Sequence, residues 1–237
     1  MTTIQDIQQA IRQLSRLQRE DLAEWILNSA DFSERIAEVA AVYAVPREQR
    51  RFSLEEYLRM EAQSAVNYEY LAGEIFAMSC PMLRHEVLIA NLLGRLHGQL
   101  RGGPCKVFSS NAKVRLQANE QDIVYHPDVT IACGPFSEGA LDLQYLTNPC
   151  VVIEVLSPAT EAIDRREKLL NYRQVPSLEE YVVIAQRPPQ VTVHRRDGDW
   201  HSTVLTAMES VVEFASVEVS MTLEEIYEGT RWPATHL

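Results

Sequence analysis

Apolar positions along the chain follow two rhythms. Near the N-terminus, Ile4, Ile7, Ile11, Leu14 and Leu17 recur every three or four residues, the spacing of one helix face. Leu22, Trp25 and Ile26, then Ile36 and Val39, extend that rhythm, with the stretch from Ser29 to Ser33 separating two helices. Val45-Pro46-Arg47-Glu48-Gln49 reads as a linker, because a residue before proline is steered out of helical geometry. Residues 1–50 are therefore expected to form a helical appendage for packing or dimerisation, and residues 51–237 a separate domain.

The second part mixes both rhythms. Ser53-Leu-Glu-Glu56 has the spacing of a capping box and predicts a short helix through about Met60. Aromatic and β-branched residues between Tyr68 and Met78 predict a hairpin turning at Ala72-Gly73. Leu83 to Leu100 reads as a helix with Val87, Ile89, Ala90, Leu93, Leu96 and His97 facing a core, stopped by Gly102-Gly103-Pro104. Strands are expected from Lys106 to Ser109, Ala112 to Leu116, Pro127 to Ala132 and Cys150 to Leu156. Asp164-Arg-Arg-Glu167 is a second capping box, opening a helix through about Arg173. Strands at Tyr181–Ile184 and Val191–His194 follow, with a hairpin turn at Asp197-Gly198 toward Trp200 and a short helix from Leu223 to Tyr227. This order predicts an α/β fold, a central mixed sheet flanked by helices.

Composition adds limits. The chain is 46% hydrophobic and 23% charged, ordinary for a globular protein. Cys80, Cys105, Cys133 and Cys150 stand singly, with no C-x-x-C pair to suggest zinc or redox chemistry. Each is read as a small buried hydrophobe of a reduced compartment. No signal peptide or membrane-length apolar run is visible, so a soluble, cytoplasmic protein is expected. The net charge of -11 argues against a nucleic-acid partner, but the charge is uneven. Between residues 84 and 116, Arg84, Arg95, Arg101, Lys106, Lys113 and Arg115 face Glu86 alone, whereas residues 197–237 hold eight acids against Arg231. The basic stretch is either a phosphate-binding face or simply solvated.

Two acids occupy costly positions. Asp128 opens an apolar strand directly after Pro127, and Glu154 lies inside Val151-Val-Ile-Glu-Val-Leu156. A carboxylate in such a run is expensive to bury unless it is paired or binds a metal. Strand alternation sets Val152, Glu154 and Leu156 on one face, and Val151, Ile153 and Val155 on the other. The acids are 26 residues apart, and residues 133–149 can form the loop that brings their strands side by side. Two carboxylates with a main-chain carbonyl, that of Val155, make an all-oxygen site suited to Mg2+ or Mn2+.

Pro127-Asp128, Glu154 in Ile153-Glu154-Val155-Leu156-Ser157-Pro158, then Asp164, Lys168 and Tyr172, then Glu180-Tyr181 form an ordered set. This set resembles the Uma-two family of bacterial endonucleases, part of the PD-(D/E)XK superfamily with the restriction-endonuclease-like fold. Glu69 followed by Gly73, and His85 opening the long helix, also match the family's pattern. The resemblance covers about residues 52 to 230. It implies hydrolysis of phosphodiester bonds in DNA, a metal held by Asp128 and Glu154, and a homodimer whose two sites cut two strands. The superfamily's Glu-x-Lys lysine position is Leu156 here, and the resemblance implies that the lysine has moved to Lys168. Glu69 and His85 would then be outer-shell residues.

Bland alternatives stand beside each assignment. Asp128 could cap a turn, and Glu154 could pair with Arg115 or Lys113. Lys168 could form an i,i+4 pair with Asp164, itself the cap of its helix. Glu69 could serve a hairpin ion pair, and His85 could cap or pack its helix. His126 reads as loop and Tyr172 as core. The alternative function is a binding or scaffolding module that keeps the fold and cuts nothing.

Overall fold

The computed structural model describes residues 51–78, 82–134, 145–157 and 167–230. The appendage expected over residues 1–50, Cys80 and the capping box at Asp164 lie outside these residues.

Helix α1, Leu54–Glu61, starts where the sequence places it. Ser53 Oγ accepts from the Glu56 backbone N–H at 3.2 Å, and the Glu56 carboxylate accepts from the Ser53 N–H at 2.9 Å. Strands β1, Tyr68–Leu71, and β2, Glu74–Ala77, form the expected hairpin. Its turn needs positive φ at two positions, supplied by Ala72 at 51° and Gly73 at 99°.

Helix α2, Leu83–Leu100, buries His85, Leu88, Ile89, Leu92, Leu96 and Leu100. That stripe corrects the expected face: Ala90 and His97 are exposed, and Val87 is only half-buried. Val87, Leu88 and Ile89 are three consecutive apolar residues, so periodicity alone does not choose which of them points inward.

Strands β3 (Cys105–Ser109), β4 (Lys113–Ala118), β5 (Gln121–Tyr125), β6 (Val129–Cys133), β7 (Tyr145–Leu146) and β8 (Pro149–Val155) follow. After helix α3 (Leu169–Tyr172) come β9 (Glu180–Ala185), β10 (Gln190–Arg195), β11 (Ser202–Leu205) and β12 (Val211–Phe214). A 3-10 turn at Ala215–Val217, β13 (Val219–Thr222) and helix α4 (Leu223–Ile226) complete the described order. The α/β class with mixed sheets is as expected, with the strands divided among three sheets. A six-stranded sheet has the order β11-β10-β9-β8-β6-β3, and a five-stranded sheet the order β2-β1-β5-β4-β7. Strands β12 and β13 form a separate pair.

Strand β8 is the axis of the domain. It pairs antiparallel with β6 and parallel with β9, and the parallel pairing requires the crossover that carries α3. Its side chains alternate as the sequence predicts. Val151, Ile153 and Val155 join Leu88, Leu92 and Leu96 of α2 in one core, while Val152 and Leu156 join Tyr172, Tyr181 and Val183 in another. Each fully buried Val, Leu or Ile contributes about 1.5–3 kcal/mol, so these faces fix the register of β8 and the place of Glu154.

Two further expectations change. The β10–β11 reversal is wider than a two-residue turn at Asp197-Gly198. Its left-handed residues are Asp199 and Trp200, and the Arg196 guanidinium lies over the Trp200 ring at 5.1 Å. Cys105 and Cys133 are not solitary hydrophobes. The β3–β6 register sets them directly opposite each other and they are joined as a disulfide, whereas Cys150 is a free thiol. Among the described residues no helix is long and apolar enough to cross a membrane.

Candidate active site

The β6–β8 register pairs Val129 with Ile153 and Thr130 with Val152. Asp128 directly precedes β6, so this register brings it to the Glu154–Val155 end of β8. Asp128 Oδ2 accepts from the Val155 backbone N–H at 2.7 Å. His85, in the first turn of α2, brings Nε2 to 3.2 Å from that oxygen and 3.1 Å from the Val155 carbonyl. Both partners only accept, so Nε2 carries the proton. Nδ1 of His85 is buried with no hydrogen-bond partner among the described residues, and the Glu86 carboxylate at 3.6 Å is beyond hydrogen-bond range. Burial works against charging the ring, but the hydrogen bond and charge of Asp128, aided by Glu86, raise its pKa above the ordinary histidine value. No hydrogen bond to Asp128 Oδ1 occurs among the described residues.

Glu154, 3% exposed, is on the face of β8 shared by Val152 and Leu156, opposite to Ile153 and Val155. Its Oε1 is 3.1 Å from Nζ of Lys168, which is also 2.9 Å from Oε1 of Glu69 on β1. Lys168 is buried just before α3, with its ammonium 5.2 Å from the centre of the Tyr125 ring. Tyr125 is held in turn by the Asn171 side chain, which donates to its hydroxyl at 2.7 Å.

The sequence-selected residues thus form two groups, Asp128 with His85 and Val155, and Glu154 with Lys168 and Glu69. They adjoin because Glu154 and Val155 are neighbours on β8. The bland partners for Glu154 are engaged elsewhere: Lys113 pairs with Glu61, and Arg115 with Asp122 at 2.9 Å. The alternative partner of Lys168, Asp164, lies outside the described residues. Leu156 is packed in the core beside Tyr172, which is fully buried as expected.

The donor chemistry suits a hard divalent cation. Glu69, Asp128 and Glu154 set three carboxylates around the Lys168 ammonium and the His85 ring. No three His, Cys, Asp or Glu side chains gather there as a ready-made cage among the described residues. Mg2+ needs no such cage, since it keeps several waters and takes one or two carboxylates. Asp128, Glu154 and the Val155 carbonyl are the groups that could meet that requirement.

A neighbouring cluster escapes sequence reading. His126 lies in the loop between β5 and β6 as expected, but it is buried there, with Nδ1 2.8 Å from the Ser110 carbonyl and Nε2 2.6 Å from Glu61. Glu61 also accepts from Lys113. Burial opposes its charge, yet the hydrogen bonds from His126 and Lys113 lower its pKa to about 2. The cluster ties α1 to the segment that delivers Pro127 and Asp128. The available signal was Glu61 itself, an acid four residues beyond Tyr57 on the inner face of α1.

Comparison with known proteins supplies the relationship. The family model described as "Uma2: Putative restriction endonuclease" matches residues 54–224. An uncharacterized protein of Synechocystis sp. is 33% identical over 181 residues, covering 76% of this chain and 93% of its own length. A second from the same organism is 28% identical over 166 residues, covering 69% of this chain and 93% of its own length. Among solved structures, one from Anabaena variabilis described as "a putative nuclease belonging to DUF820" superposes with a TM-score of 0.62. It shares 16% identity and covers 74% of this chain and 97% of its own, a likeness of fold. The chain belongs to the Uma2 family of restriction-endonuclease-like proteins.

Proposed function

We propose that this chain is a metal-dependent endonuclease that hydrolyses phosphodiester bonds, with DNA as substrate. The observation that carries the reading is the buried Lys168–Glu154 contact of 3.1 Å beside Asp128, at one end of β8. Asp128, Glu154 and the Val155 carbonyl would hold Mg2+ or Mn2+, which supplies Lewis acidity toward a phosphoryl oxygen and acidifies bound water. The protein's own part is positioning. The Val155 N–H and His85 fix one oxygen of Asp128, and His85 also fixes the Val155 carbonyl. Glu69 and Glu154 hold the Lys168 ammonium where it orients the attacking water and offsets charge on the pentavalent phosphate. The low exposure of these groups strengthens each of these interactions. In this reading a second copy of the chain cuts the opposite strand.

One observation favours a second reading. Leu156, packed in the core, occupies the position where the superfamily pattern has lysine, as a non-cleaving binding module would allow. Incubating the purified protein with plasmid and Mg2+ or Mn2+, beside Glu154→Ala, decides between them. Metal-dependent nicking that Glu154→Ala abolishes supports the nuclease. Intact plasmid under every metal condition supports the module.

A further inference from the structure

A nuclease must hold the phosphates beside the one it cleaves, and in this site Lys168 is already engaged by two carboxylates. Other cations must do that work. Of the six between residues 84 and 116, Arg95 is tied to Glu225 and Glu228, Lys113 to Glu61 and Arg115 to Asp122. Arg84, Arg101 and Lys106 make no ion pair among the described residues. Arg101 follows the far end of α2, about 25 Å from Arg84 at 1.5 Å per residue. Lys106 lies on β3, the strand at the edge of its sheet. Arg84 alone is beside the site, next in sequence to His85.

A second cation lies at the same end of the sheet. Strand β9 runs parallel to β8, pairing Ile184 with Val155, and the Leu156 N–H continues the ladder to the Ile184 carbonyl at 2.8 Å. The turn into β10 begins there and carries Arg187, which is exposed and makes no ion pair among the described residues. The turn is held firmly. Gln186 donates to the Leu156 carbonyl at 2.8 Å. The Tyr227 hydroxyl donates to the Ala185 carbonyl at 2.6 Å and accepts from the Gln190 N–H at 3.0 Å.

Arg84 senses the charge of Arg187. The pKa of Arg84 is lowered, first by burial and then by the like charge of Arg187. Like charges kept together without a counter-charge repel, and a bound anion removes the penalty. Guanidinium is suited to this task, since its planar fork meets phosphate through two hydrogen bonds.

We propose that Arg84 and Arg187 form a clamp for a backbone phosphate of the nucleic-acid strand, flanking the Asp128–His85 side of the site. The proposal rests on the nuclease reading for the nature of the strand. It gives an acidic protein a local cationic contact that positions the substrate without reading its sequence.

The test is fluorescence anisotropy of a labelled duplex oligonucleotide in EDTA over a range of NaCl. It compares wild type with Arg84→Gln, Arg187→Gln and the double variant, and cleavage with Mn2+ is followed in parallel. The clamp requires the double variant to bind at least about tenfold more weakly and its log Kobs against log salt slope to flatten by about one to two. Melting should be unchanged or raised in both single variants, because repulsion is relieved, whereas a structural role would lower it. Double-variant affinity within twofold of wild type, with the same salt slope, overturns the clamp and leaves the nuclease reading standing. Weakened binding by a protein that cuts under no metal condition keeps the clamp and ends the nuclease reading. Wild type that binds no duplex at all ends both.

Discussion

Nζ of Lys168 and Oε1 of Glu154 lie 3.1 Å apart although the residues are 14 positions apart and belong to different elements. The register of β8 fixes Glu154, and the crossover toward β9 returns Lys168 over the same face. A lysine two positions after Glu154 would have to replace Leu156, which is packed against Tyr172 and Tyr181. The crossover therefore brings a cation to Glu154 without burying one in that core.

Metal binding should be visible as stability. Asp128→Ala and Glu154→Ala each remove one of the two carboxylates proposed to hold the ion. Wild type at Mn2+ about 100 times its Kd should gain about 2.7 kcal/mol. That corresponds to a rise in melting temperature of roughly 5–10 °C for a domain of this size. Neither variant should respond. A thermal melt of wild type that ignores Mn2+ would remove Asp128 and Glu154 from the list of ligands.

Much of this site was legible because buried charge is expensive. Asp128 and Glu154 stand out in runs of Val and Ile, and alternation along Val151–Leu156 correctly assigned the two faces. Glu69, His85 and Lys168 came from the ordered family pattern, and no local rhythm would have joined them. The Glu61–His126–Lys113 cluster stayed hidden because its members come from three distant segments. Strand β5 was missed since it is short and opens with Gln121-Asp122. The Cys105–Cys133 pair depends on the β3–β6 register, which single-sequence spacing does not reveal.

The Glu61 cluster predicts an acid limb in stability. Its folded pKa lies below its unfolded value, so its contribution is fully present above about pH 4.5 and is lost as the pH falls toward about 2. The loss is on the order of 3 kcal/mol. Glu61→Gln should melt lower than wild type at neutral pH and converge with it toward pH 2. Parallel melting curves for the two proteins across that window would show that Glu61 contributes no such term.

The disulfide predicts a redox-dependent melting temperature. Cys105 and Cys133 close a loop with a sequence separation of 28, which constrains the unfolded chain by about 3–4 kcal/mol. Cys105→Ala combined with Cys133→Ala should melt lower than wild type under oxidising conditions. In excess reductant the two should come close together. A wild-type melt insensitive to reductant, equal to that of the double variant, would count against the bond as a stabilising link.

The most direct measurement is the initial rate of duplex cleavage with Mn2+ by wild type and Lys168→Ala. It should be made well below the variant's melting temperature, because removing one partner of a buried ion pair costs about 3–5 kcal/mol. The account predicts a loss of at least about 100-fold, the scale for deleting one transition-state donor. It also predicts that the melting shift caused by Mn2+ is kept or enlarged, because Glu69 and Glu154 lose a competing cation. A folded Lys168→Ala protein that cuts at the wild-type rate would contradict the role assigned to this lysine.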